Sequence, residues 1–125
     1  QNRAHPMLRS LVGSEMCIRD RDGQPIYSCS QLAVWADGAN IQTVEGLAQN
    51  GELTPVQQAF VENNGPQCGF CTPGQLMTAT ALLNRNSSPS ANEVKEALVG
   101  NLCRCSNYNA IVEAVVMAGE NGGVA

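Results

Sequence analysis

The stretch PQCGFCTPGQLM, residues 66–77, sets Cys68 and Cys71 three positions apart and runs straight into a helix start. Thr72-Pro73 supplies a capping hydroxyl followed by the one residue whose missing N–H is not needed in a first helical turn. A second stretch, NLCRCSNYNAIVEAVV at residues 101–116, repeats the arrangement, with Cys103 and Cys105 ahead of a helix capped by Ser106 or Asn107. Helix N-termini carry unpaired N–H groups and partial positive charge, so both pairs lie where thiolates, and an anionic group bound by them, are stabilised. In a helical bundle the two loops can meet at one end and bring four sulfurs together.

Further helix signals surround these two. Thr54-Pro55 opens PVQQAFVENNG, which places Val56, Ala59 and Phe60 on one face and stops at Gly65. After the first cysteine pair, Leu76, Met77, Thr80 and Leu83 recur at helical spacing. Ser90-Ala91-Asn92-Glu93 is a capping box that opens EVKEALVG, with Val94, Ala97 and Leu98 as its apolar face and Gly100 as its stop. Ile111, Val112, Val115 and Val116 then form the apolar stripe of a last helix ending at Gly119. The pattern predicts a mainly α protein, with a four-helix bundle over residues 51–125.

Residues 22–50 read differently. DGQP is a turn, PIYS a short β-like run, and residues 41–44 a second extended stretch that passes into a helical turn. Two short strands alone are marginal in water, so this segment leans on the bundle or belongs to a larger sheet.

The chain has 125 residues, 43% of them hydrophobic but only 4% aromatic, so its core must be built from Leu, Val, Ala and Met. A net charge of -4 speaks against nucleic-acid binding, which relies on basic clusters. No apolar run approaches the roughly 20 residues that span a bilayer, and no secretory signal pattern opens the chain. Charge is uneven: residues 1–21 carry Arg3, Arg9, Arg19 and Arg21 against Glu15 and Asp20, whereas the remainder is strongly acidic.

Three chemistries suit the four paired cysteines. Disulfides are disfavoured, since a Cys103–Cys105 bond would close a small strained ring and a secretion signal is absent. A four-cysteine zinc site, acting as a non-enzymatic structural or interaction module, remains open, although a zinc ribbon ordinarily repeats C-x2-C rather than C-x-C. A [2Fe–2S] cluster held by four thiolates is the third reading.

The segments TVEGLA (residues 43–48), VQQAFVENNGPQCGFCTPGQLM (56–77) and GNLCRCSNYNAIVEAV (100–115) closely resemble the iron–sulfur subunit of the molybdenum hydroxylases, the family of xanthine and aldehyde oxidoreductases and aerobic carbon monoxide dehydrogenase. The most specific element is C-x2-C, an intervening run over residues 72–102, then C-x-C. The resemblance implies an electron-transfer subunit of a multi-subunit oxidoreductase, with no substrate turnover by this chain alone. It implies that Cys68, Cys71, Cys103 and Cys105 ligate one [2Fe–2S] cluster in the helical domain, with Gln67 and Cys105 near the molybdopterin of a large partner subunit. For Gln67 a loop-capping role is the alternative. Arg104, between two ligands, offsets cluster charge or serves as a solvated interface residue. Electrons would pass towards FAD in a medium subunit. The compartment implied is the cytoplasm, with the periplasm left open because an export signal could precede the sequence.

The same resemblance implies a second cluster in a ferredoxin-like β-grasp domain, of which residues 22–50 would be an incomplete remnant. Cys29 falls at the fourth ligand position of that site and Cys17 near the third, but Ser14 and Arg9 occupy the other two. Cys29 is therefore expected to be a stranded ligand. The run LVGSEMCIRD around Cys17 reads like translated sequencing adaptor, so residues 1–21 are expected to be a non-native leader, with native sequence starting near Asp22.

Overall fold

A computed structural model of the chain describes residues 18–48 and 50–122. Three short strands precede four helices. Strands β1 (Ile18–Arg21), β2 (Gln24–Tyr27) and β3 (Ile41–Gln42) form an antiparallel sheet in the order β2-β1-β3. The β1–β2 hairpin turns on Asp22-Gly23, whose φ values of 54° and 83° match the two-residue turn that follows the natural strand twist. Asp20 and Asp22 fix this corner by accepting hydrogen bonds from the backbone N–H groups of Gly23 and Asn40, both at 2.9 Å.

Residues Ile18–Arg21, inside the stretch expected to be a leader, form the middle strand, and Ile18 is buried in the core. Cys17, Ser14 and Arg9 lie outside the described residues.

The helices follow the sequence signals: α1 (Pro55–Glu62), α2 (Thr72–Leu83), α3 (Ala91–Ala97) and α4 (Tyr108–Glu120). Both α1 and α3 begin with complete capping boxes, Thr54 with Gln57 and Ser90 with Glu93. These reciprocal bonds satisfy N–H groups that a helix start leaves without partners. Hydrogen bonds from Ser90, together with Asn86, hold the Glu93 carboxyl below the usual carboxylate range.

Helix α1 packs chiefly on α4, burying Val56, Ala59 and Phe60 against Ile111, Val112, Ala114, Val115 and Ala118. Helix α2 occupies the centre. It touches β1 and β2 on one side and α1, α3 and α4 on the others, so every residue from Gly74 to Leu83 is buried. The sequence pattern indicates one apolar face for this helix, whereas the sheet covers the side the pattern leaves to solvent. Gln75 and Thr78, which lie outside that apolar face, are buried as well. A helix surrounded in this way fixes its N-terminal end, and the cysteine loop there, more firmly than a surface helix could.

A hydrogen bond from the Tyr27 hydroxyl to the Gly100 carbonyl, 3.2 Å, ties the sheet to the loop ahead of the second cysteine pair. A Cβ at Gly100 would collide with the Tyr27 hydroxyl, which would have to move away from the carbonyl it bonds. Gly100→Ala should therefore destabilise the chain by about 1 kcal/mol, and by clearly less in a Tyr27→Phe background, a coupling that denaturant titration of the double-mutant cycle measures. Loss of the Ser90 cap in Ser90→Ala should independently cost about 1 kcal/mol in the same assay.

Candidate metal centre

Both cysteine loops end at the same corner of the bundle because α2 and α4 start there. Cys71 occupies the cap position of α2, one residue earlier than the Thr72 signal suggests, and Asn107 caps α4. Neither cap makes a side-chain bond to its own helix. For Asn107 the reason is visible: its carboxamide donates instead to the carbonyls of Asn64 and Gly65, each at 2.8 Å. These two bonds clamp the chain just ahead of Cys68 against the loop that carries Cys105. Asn64, at φ 52°, and Gly69, at φ 82°, provide the left-handed corners that let the first loop turn back.

The second loop has its own brace. The Cys103 backbone N–H donates to the Tyr108 hydroxyl at 2.7 Å, so the first residue of α4 holds the ligand loop in place. Ser106, at φ 58°, turns its N–H onto the Cys103 carbonyl at 3.1 Å.

The thiols meet across the loops. Cys71 is in side-chain contact with Cys103, and Cys68 with Cys105. Cys71 and Cys103 are buried, Cys105 is half-buried and Cys68 is exposed, so the quartet runs from the core to the surface. Burial, reinforced by the Cys103 thiol, pushes the Cys71 thiol up to about 11. At Cys103 burial acts in the same sense, but backbone N–H groups of Asn107, Cys105 and Ser106 and the Cys71 thiol outweigh it and draw the group below the ordinary thiol value. At Cys105 the N–H of Cys68 favours the thiolate, yet the Cys68 thiol, burial and neighbouring charge leave the group raised overall. Deprotonation of one member of each pair is thus helped by backbone dipoles, as expected at helix N-termini.

The donor set fits a [2Fe–2S] cluster. The four thiols come two and two, which suits a binuclear cluster whose irons each take two soft sulfur ligands.

A family model described as "[2Fe-2S] binding domain" matches residues 43–116, which include all four cysteines. The chain belongs to the iron–sulfur subunit family of the molybdenum hydroxylases. It is 55% identical over 102 residues to the nicotine 6-hydroxylase small subunit of Paenarthrobacter nicotinovorans, covering 82% of this chain and 61% of that one. Identity to the xanthine dehydrogenase iron-sulfur-binding subunit of Escherichia coli O157:H7 is 47% over 97 residues, covering 76% and 61%. Among solved structures, quinoline 2-oxidoreductase from Pseudomonas putida 86 superposes with a TM-score of 0.80 at 44% identity, over 86% of this chain and 70% of that chain. The chain spans about three fifths of the length of these two curated relatives, 61% in each case. None of these matches supports the zinc-module reading.

Of the other residues singled out in the sequence, Gln67 and Arg104 are exposed on the two ligand loops. Cys29 is exposed in a short 3-10 turn, Ser28–Ser30, with its thiol 3.9 Å from the Ser30 hydroxyl. Asn107 and Tyr108, which hold the loops, carry no sequence signal beyond a cap and an aromatic at a helix start. Their roles depend on which loop lies opposite.

Asn107→Ala should leave two loop carbonyls without their donor and destabilise the apoprotein by about 1–3 kcal/mol in denaturant titration. It should also lower the amount of iron retained after reconstitution, because the first loop loses its clamp.

Proposed function

We propose that this chain is the electron-transfer subunit of a molybdenum-containing hydroxylase or dehydrogenase, working between a molybdopterin-binding large subunit and an FAD-binding medium subunit. The observation that carries the reading is the meeting of two thiol pairs from loops separated by residues 72–102, at the joined N-termini of two helices. Cys68, Cys71, Cys103 and Cys105 would hold the [2Fe–2S] cluster, which supplies a centre that takes up and releases one electron at a time. The protein's part is to fix the four thiolates, exclude water from the inner pair and direct backbone N–H groups at sulfur.

Gln67 and Cys105 would face the pterin of the large subunit; both are on the outer side of the quartet. The three-stranded sheet would be the remnant of a ferredoxin-like β-grasp domain, with Cys29 a stranded ligand of the second cluster carried by an intact parent. Substrate oxidation would belong to the large subunit, so this chain alone would turn over nothing. No helix among the described residues is long and apolar enough to cross a membrane, and thiolates kept reduced suit the cytoplasm.

Anaerobic reconstitution should give a brown protein with two irons and two labile sulfides per chain, paramagnetic once reduced. A colourless protein that takes up one zinc would contradict the reading. Cys103→Ser should abolish this cluster, whereas Cys29→Ser should leave iron content unchanged.

A further inference from the structure

Gln75 lies one helical turn beyond Cys71 and is wholly buried, with 0% of its surface exposed, in a helix whose other buried side chains are Leu, Met, Ala and two threonines. Its side chain joins the two ligand loops. The Nε2 group donates to the carbonyl of Asn101 at 3.1 Å, two residues before Cys103, and the same carboxamide lies against the Cys71 thiol. A single side chain thus touches one inner ligand and the backbone leading to the other.

Packing does not call for an amide at this position. The Gln75 Oε1 atom is buried without a hydrogen-bond partner, as are both side-chain polar atoms of Asn101. A methionine would fill nearly the same volume and leave no orphaned oxygen. What methionine cannot do is present N–H groups to sulfur. Donors directed at a ligating sulfur favour the reduced, more negative state of an iron–sulfur centre and so raise its potential.

We propose that Gln75 is a positioning residue that sets the reduction potential of the centre, by holding its carboxamide between Cys71 and the Asn101 carbonyl. The Asn101 bond matters because it fixes the carboxamide beside the Cys71 thiol. The inference rests on the reading that the four cysteines hold a [2Fe–2S] cluster.

The test is a redox titration of the reconstituted full chain followed by electron paramagnetic resonance, with Gln75→Met beside the unmutated protein. Failure of the unmutated chain to give the reduced-cluster signal would sink the cluster reading itself, independently of Gln75. With the signal present, Gln75→Met should make reduction about tenfold less favourable, a midpoint lower by about 59 mV, and should shift the g values. Gln75→Glu, which keeps the shape but removes the N–H groups and can add charge, should lower the midpoint at least as far. A midpoint and spectrum unchanged in Gln75→Met would overturn the proposal. Should neither variant load, pulsed resonance on the reduced Gln67→Met chain labelled with side-chain 15N-glutamine decides: a resolved nitrogen coupling supports the contact with sulfur, and its absence refutes it.

Discussion

Two hydrogen bonds from Asn107 to the carbonyls of Asn64 and Gly65 hold together parts of the chain that local structure alone would never bring into contact. Through them the loop that leads to Cys68 is held against the start of α4. Two helix starts at one corner carry partial positive charge that thiolates, and an anionic cluster held by them, would offset. Binding of such a cluster would be coupled to the packing of both helices.

The rest of the fold serves to keep this corner from relaxing. Helix α2 is covered by the sheet on one side and by three helices on the others, so the Cys71 end has little freedom to tilt. Helix α4 is anchored by its Ile–Val–Ala stripe on α1, and its first residue, Tyr108, braces the Cys103 backbone. The sheet contributes through Tyr27, which reaches the loop at Gly100, three residues before Cys103. Burial then separates the quartet into an inner pair, Cys71 and Cys103, and an outer pair, Cys68 and Cys105.

Much of this was legible from local signals. Helix starts at Thr54-Pro55 and Ser90–Glu93 depend only on residues three apart, and both capping boxes form. The cysteine spacing pointed to one four-sulfur site because each pair sits at a helix start. Other features depend on what lies across the fold and leave no trace in neighbouring residues. The burial of α2 on all sides follows from the sheet, including Ile18, which the residue pattern assigned to a leader. Which thiol meets which, and the bridging place of Gln75 between the two ligand loops, follow from the relative rotation of α2 and α4. A buried glutamine in an apolar helix was the one available hint, and periodicity alone could not distinguish it from an exposed one.

The pairing of thiols across the loops is the centre of the account, and disulfide trapping in the metal-free chain tests it most directly. Mild oxidation followed by peptide mapping should recover the cross-loop bonds Cys71–Cys103 and Cys68–Cys105. Recovery of Cys68–Cys71 as the dominant bond, with Cys103 and Cys105 unlinked to the first loop, would contradict it.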